Sequence, residues 1–376
     1  MKKWLAILLT IVMILGLAAC GSQGSPEPTD GPVSTDPVAS EPVATEPPSS
    51  EPQGKEYKIA LVLSTGGLGD KNFNDMSYEG LLQAQTDLGI HFDYLESESP
   101  SDFAPNFRLL CETEEYDLII GMGSDQAEAM LEVADDFPEQ KFSHVDSAVD
   151  DPRISAVATK WQEQTFLTGV MAGLGTSGAM ELANPDENIV GVILGMDNPV
   201  LRAGVVGFIA GAKYVNPDAV ILEGVVDSFN DPGKGKEIAL AMYNQGADYV
   251  QSIAGASGLG IFNAAKEINR YAFGVGANAN YHEPDHIPAT ARRLVNEMVY
   301  NEIKRLIDGE WVGGLRVSGI AEDSVGIDMT QSDVPVPQEI LDAIEAIRLK
   351  IVAGDLVPPE TADEVDDWLA ANPYQP

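Results

Sequence analysis

Short runs dense in Val, Ile and Leu alternate with longer stretches of helical spacing from residue 57 to 354, and this alternation constrains the fold more than any single motif. The runs YKIALVLS, DLIIGMG, NIVGVILGM, AVILEGVV, DYVQSIAG and YAFGVG hold apolar residues at consecutive positions, as strands covered on both faces do. Between them lie MSYEGLLQAQTDLG, SDQAEAMLEVADDF, LRAGVVGFIAGAKYV, KGKEIALAMYNQG and LGIFNAAKEINR, whose apolar residues recur at helical spacing and whose ends carry Gly or Asn stops. The pattern predicts repeated βα winding about parallel sheets, in a body long enough for two domains.

The N-terminal region reads as an export and anchoring signal. Lys2 and Lys3 precede an apolar run from Trp4 to Ala19, and Leu17-Ala18-Ala19-Cys20 matches a lipobox, in which the cysteine is acylated and becomes the new N-terminus. The run is too short for a spanning helix of about 20 residues. Residues 21 to 56 are rich in Pro, Ser, Thr and acidic side chains, a composition that extends and does not fold, and so predicts a tether between lipid and body.

The formal charge is −37, most of it on residues 57 to 354, which excludes the clustered Lys and Arg that nucleic-acid binding requires. With Cys20 committed to lipid, Cys111 has no disulfide partner in the mature chain, and its FRLLC context predicts simple burial.

In open parallel sheets a ligand sits beyond the carboxyl ends of the strands. The segments there are polar and rich in glycine: STGGLGDKNFND, GMGSDQ, HVDSAVD, GMDNP, DSFNDPGKGK, AGASGLG and GVGANAN. Asp70-Lys71-Asn72-Phe73-Asn74-Asp75 combines hydrogen-bonding side chains with one aromatic ring, the mixture that a flat polar ligand needs; the alternative is a helix cap at Asn74 or Asp75 with Phe73 as a staple. Phe229 is a second ring in an equivalent loop, so the two can sandwich a planar heterocycle.

Motifs that suggest other chemistry fail on their spacing. His282-Glu283-Pro284-Asp285-His286 matches H-E-x-x-H literally, yet Pro284 opposes the helix that must place both histidines on one face, and no third ligand is evident. DPGKGKE lacks the glycine spacing of a phosphate loop, and GASGLG fits neither a dinucleotide fingerprint nor a nucleophile elbow. GASGLG is expected to open a helix toward the cleft. No metal and no cofactor are expected.

The stretches GGLGDKNFNDMSYEGL, YDLIIGMG, FPEQKFSHVDS, VGFIAGAKYVNPDAV, DSFNDPGKGKEIALAMYNQGADYV and SIAGASGLGIFNAAKE resemble the basic membrane protein family, the PnrA-like lipoproteins that serve ABC transporters. The resemblance implies a type I periplasmic-binding-protein fold: two doubly wound parallel-sheet lobes joined by three crossovers and closing on a ligand. It implies a first lobe of residues 57–160 and 276–312, a second of 161–275 and 313–354, and an acidic surface tail from 355 to 376, after a signal peptide of 1–19 and a tether of 20–56. By similarity, Asp70, Asn72 and Asn74 reach the polar groups of a purine nucleoside, Phe73 stacks on its ring with Phe229 opposite, and Asp146, Met196 and Asp197 line the cleft.

Where the family shows GVDSDQ, this chain has Gly274-Val275-Gly276-Ala277-Asn278-Ala279, so Asn278 replaces carboxylates that would grip ribose, and Arg292 or Arg293 stands near an expected lysine. The implied partners are a small-molecule ligand, separate permease and ATPase chains, and the membrane through its lipid. The alternatives are a ligand-sensing lipoprotein of the same fold, or a secreted zinc hydrolase using His282 and His286.

Overall fold

The computed structural model describes residues 55–375; the expected signal peptide, Cys20 and all but the end of the tether lie outside the described residues. The body begins with β1 (Lys58–Thr65), α1 (Phe73–Leu88), β2 (His91–Ser97), α2 (Phe103–Glu112), β3 (Leu118–Met122), α3 (Ala127–Asp136), β4 (Phe142–Val145) and β5 (Ile154–Thr159). It then crosses to α4 (Trp161–Leu174), β6 (Ile189–Leu194), α5 (Pro199–Val215), β7 (Val220–Val225), α6 (Pro232–Asn244), β8 (Ala247–Ile253), α7 (Gly258–Ile268), β9 (Tyr271–Gly276) and β10 (Ala289–Arg293). The chain returns through α8 (Val295–Ile307) and β11 (Gly314–Ser318), and ends with β12 (Val325–Asp328), α9 (Gln338–Ala353) and α10 (Val365–Ala371).

The strands form two six-stranded sheets, ordered β11-β5-β4-β3-β1-β2 and β12-β10-β9-β8-β6-β7. Both lobes belong to one compact unit. The first sheet is parallel throughout; in the second, β12 runs antiparallel to β10, so that lobe is mixed and not purely parallel. Each sheet is covered on both faces, which explains the continuous apolar runs. In the first lobe Ile59, Leu61 and Leu63 pack toward α1 and α8, while Ala60 and Val62 pack toward α2 and α3. In the second, Val190, Val192 and Leu194 meet α4, α5 and α9, and Ile193 and Val250 meet α6 and α7.

Two of the expected lobe boundaries move. The first crossover falls at Lys160, between β5 and α4, but the second falls at Leu294 and the third between Ser318 and Val325. The polar segment after YAFGVG reads as a crossover, yet it is a loop of the second lobe that buries Ala279 and Ile287 and leads into β10, which pairs in parallel with β9. GLRVS, expected in the second lobe, is strand β11 of the first, parallel to β5.

The acidic tail is also not a loose surface segment. Trp368 meets the Phe166 ring edge-on at 5.6 Å and the Tyr214 ring at 5.4 Å, and its indole N–H donates to the Val357 carbonyl at 2.6 Å. Leu356 is buried in the same core.

Helices α4 and α5 pack backbone to backbone, which sets the position of their first turns at the cleft. A Cβ at Gly207 would stand 2.1 Å from the Gln162 carbonyl oxygen, and one at Gly211 2.1 Å from that of Phe166. Any side chain there forces the helices apart and moves Trp161 and Leu201 with them.

Candidate functional site

Between the lobes lies a cavity of about 830 Å³, open solvent at its mouth included, bordered by the carboxyl ends of β1, β3 and β4 on one side and of β8, β9 and β10 on the other. That volume is in the range of small-molecule sites. Its apolar walls are Phe73, Trp161, Val200, Leu201, Phe229, Ile253 and Val275.

Of the residues expected there, Asp70, Asn72, Phe73, Asn74, Asp146 and Phe229 border the cavity. The polar side chains of the first loop are also engaged by the protein. The Asp70 carboxylate accepts from the backbone N–H of Asn72 and Asn74 at 2.9 Å and of Asp75 at 3.2 Å, holding the N-terminus of α1. Asn74 accepts from the Ser64 N–H at 3.0 Å and donates to Asp70 at 3.1 Å. Asn72 reaches the other lobe, donating to the Val275 carbonyl at 3.0 Å and accepting from the Ala277 N–H at 3.1 Å. The effect is to fix Phe73, whose half-buried ring faces the space.

Phe229 stands in the corresponding loop of the second lobe, also half-buried. Its backbone carbonyl takes the Ser257 N–H at 3.0 Å, and the Ser257 hydroxyl accepts from Asp231 N–H and donates to the Ser228 carbonyl, both at 2.8 Å. GASGLG therefore opens α7 as expected, and its serine supports the loop that carries the second ring.

Asp146 and Arg293 form the charged centre. Arg293 Nη1 donates to Asp146 Oδ2 at 2.6 Å, with both side chains buried. The guanidinium lies 4.1 Å from the centre of the Trp161 ring and 5.4 Å from that of Phe73, within cation–π range. Burial pulls the Arg293 pKa down, and the adjacent Asp146 carboxylate opposes that pull. Asp146 has φ +57°, a left-handed conformation that favours Gly or Asn and marks a position held against local strain. Asp146 Oδ1, Arg293 Nε and Trp161 Nε1 are buried with no protein partner. Nearby, burial raises the Asp125 carboxyl above its usual range, while the Ser64 hydroxyl, donating to it at 3.1 Å, works the other way.

Four expected contacts stand elsewhere. Met196 is exposed, and Asp197 is drawn outward into a two-bond ion pair with Arg202 at 2.6 Å. Their neighbour Asn198 borders the cavity instead and caps α5, accepting from the Leu201 N–H at 3.0 Å. Asn278 donates to Thr330 at 2.7 and 3.0 Å, tying two loops together. Arg292 pairs with Asp323 at 2.6 Å; the alternation of β10 puts it on the side away from Arg293, which is the residue in the cavity. Sequence reasoning also missed Trp161 and Asp125, the first placed by the crossover after β5, the second within the anticipated GMGSDQ loop.

The HEPDH histidines serve separately: His282 stacks on Phe262 at 6.0 Å, and His286 Nδ1–H donates to the Arg270 carbonyl at 3.1 Å. Among the described residues no group of three or more His, Cys, Asp or Glu is placed to hold a metal. Cys111 is buried in the first-lobe core, and that burial raises its thiol pKa to about 11.

Residues 57–361 match the family model described as ABC transporter substrate-binding protein, PnrA-like. An uncharacterized lipoprotein of Pyrococcus horikoshii is 32% identical over 73% of this chain and 69% of its own length. The ABC transporter nucleoside-binding protein BmpA of Lactococcus lactis subsp. cremoris is 28% identical over 81% of this chain and 89% of its own. An ABC transporter solute-binding protein from Aeropyrum pernix K1 superposes with a TM-score of 0.74 at 24% identity, covering 84% of this chain and 98% of that one, a likeness of fold.

Proposed function

Since the chain belongs to the PnrA-like family of ABC transporter substrate-binding proteins, we propose that its ligand is a purine nucleoside or a related planar heterocycle held between Phe73 and Phe229. As a member of that family it is a binding protein and not an enzyme, and it works with permease and ATPase partners. The observation that carries the ligand reading is that two half-buried rings, one from each lobe, border a single cavity beside the Asp146–Arg293 pair. Ring faces supply apolar area and stacking, and the buried pair supplies a donor and an acceptor for a heterocycle edge. The Lactococcus relative is named as a nucleoside-binding protein, which points the same way.

The same reading places acylation at Cys20 and the body on the extracytoplasmic face. The family's named lipoproteins support it. No helix among the described residues is long and apolar enough to cross a membrane.

The test is a thermal-shift screen on protein unfolded and refolded to remove carried-over ligand, against nucleosides, nucleobases, flavins and sugars. Adenosine, guanosine or inosine should raise the melting temperature, and Phe73→Ala and Phe229→Ala should each remove that rise. A response confined to sugars, untouched by either substitution, would overturn the reading.

A further inference from the structure

The first turn of α4 touches all three crossovers. Glu163 is buried there, with its carboxylate divided between two of them: Oε1 pairs with the Lys160 ammonium of the first at 2.9 Å, and Oε2 accepts from the Ile320 N–H of the third at 2.8 Å. Gln164, the next residue, donates to the Ala291 carbonyl at 2.9 Å, on the strand that runs into the second crossover. Trp161, which opens the same turn, sets its ring 4.1 Å from the Arg293 guanidinium and borders the ligand cavity.

The backbone shows where this region can bend. Lys160 N–H donates to the Ser318 carbonyl at 2.9 Å, a last rung that extends the β5–β11 pairing of the first lobe. Ile320 is already buried in the core of the second lobe, so Gly319 alone stands between the two bodies on this path. On the other path Lys160 leads directly into α4. A change of interlobe angle therefore falls on Lys160 and Gly319, the few residues that must absorb the change in dihedral angles. Glu163 grips both, the first through its ammonium and the second through the next amide. A Cβ on Gly319 would stand 2.2 Å from Glu163 Oε2. By contrast, the backbone bond between the second and third crossovers, from Leu294 N–H to the Ser324 carbonyl, is long at 3.4 Å.

Burying a carboxylate is a poor way to gain stability, because desolvation offsets the attraction of its partner. What such a group supplies is geometry, since two directional charge-assisted bonds hold both partners at set positions. Glu163 is not part of the cavity lining, so it acts on a ligand through position and not through contact.

We propose that Glu163 is a positioning residue for ligand capture: it binds the first and third crossovers into one element, fixes the angle between the lobes, and through Trp161 ties that angle to the cavity wall. The assignment does not depend on which ligand the cavity takes. Without the clamp, Lys160 and Gly319 flex independently and the lobes sample more than one angle.

The experiment is double electron–electron resonance on the full-length, ligand-free chain, with nitroxides carried on p-acetylphenylalanine at positions 128 and 237. Glu128 and Glu237 are exposed near the starts of α3 and α6, on the cleft side of opposite lobes. Wild type should give one dominant interlobe distance. Glu163→Ala should raise the population at other distances about 10-fold, the effect of one hydrogen bond to a charged group, and Glu163→Gln, which keeps an acceptor for Ile320 N–H, about 3-fold. Gly319→Ala leaves Glu163 in the chain, displaces its carboxylate and should broaden the distances in the same way. Lys160→Gln, at a partly exposed side chain, should act about 3-fold and carries the test if Glu163→Ala does not fold.

Melting temperatures are taken alongside. Variants that melt lower yet keep the wild-type distance distribution would overturn the proposal and leave Glu163 a contact of the fold. A wild-type distribution in Gly319→Ala would overturn it as well, because the clamp could then be pushed aside without freeing the lobes.

Discussion

Asn72 and Val275 join the two lobes directly: the Asn72 amide donates to the Val275 carbonyl at 3.0 Å, while its oxygen accepts from Ala277 N–H at 3.1 Å. One side chain on the first lobe is thus bonded at both ends to backbone of the second. Gly276 lies between the two bonded residues with φ +83°, and a Cβ there would stand 2.3 Å from Asn72 Oδ1. Glycine is required at that point both by conformation and by space.

This arrangement makes Asn72 a latch between the two lobes. Two neutral hydrogen bonds contribute about 2 kcal/mol, so Asn72→Ala should favour opening and weaken ligand binding by about 10- to 30-fold. Gly276→Ala should act in the same direction. Small-angle scattering of ligand-free protein should report a larger radius of gyration for both variants. Unchanged radii with unchanged affinity would show that closure does not depend on this contact.

The Asp146–Arg293 pair leads to a different expectation, about stability. Each ion is buried, so removing one partner strands the other, at a cost of about 3–5 kcal/mol, whereas removing both strands neither. Asp146→Asn keeps a residue that tolerates the left-handed backbone and should isolate the electrostatic loss. Urea melts of Asp146→Asn, Arg293→Met and the double variant should give a double loss well below the sum of the singles. Strict additivity would mean that the two groups do not support each other.

The legibility of the fold in the sequence followed the length of each apolar run: VILEGV in β7 shows although it is a half-exposed edge, and the buried four-residue β4 does not. Strands with two covered faces, such as KIALVLST in β1 and ADYVQSI in β8, announce themselves by unbroken apolar runs. Six strands lie outside the expected apolar runs: β2, β11 and β12 are sheet edges, and β2 with HFDYLES is half exposed, so its composition is that of a polar segment, whereas β4 (FSHV) and β5 (ISAVAT) are short interior strands in which Ser, His and Thr interrupt the apolar run although they are buried. β10 is an interior strand, but ATARR carries two arginines because its carboxyl end opens into the crossover region, one turned to the cavity and one to Asp323.

For the site, the sequence identified the loops, since a parallel sheet fixes where they gather. It did not identify which way a side chain in them turns. Asp197 and Asn198 are neighbours, yet an arginine at 202 draws the first outward and the amide of Leu201 holds the second at the cavity. Likewise the carboxylate of Asp70 is claimed by the helix N-terminus that follows it, a competition that composition does not reveal.

His144 predicts how the first lobe responds to acid. Its ring is fully buried on β4; Nε2–H donates to the Gly123 carbonyl at 2.9 Å, and Nδ1 has no protein partner to share an added proton. Burial lowers its pKa from 6.5 to about 4, so the folded protein keeps the ring neutral where the unfolded chain protonates it. Between those values the unfolded state binds more protons, and stability falls as pH falls. The histidine's contribution is fully present above about pH 6.5 and is lost as pH drops toward 4, a change of about 3 kcal/mol. Urea unfolding at pH 7 and pH 4.5 should show wild type losing about 2–3 kcal/mol more than His144→Gln, which cannot titrate. Equal acid sensitivity in the two proteins would assign the loss to the carboxylates.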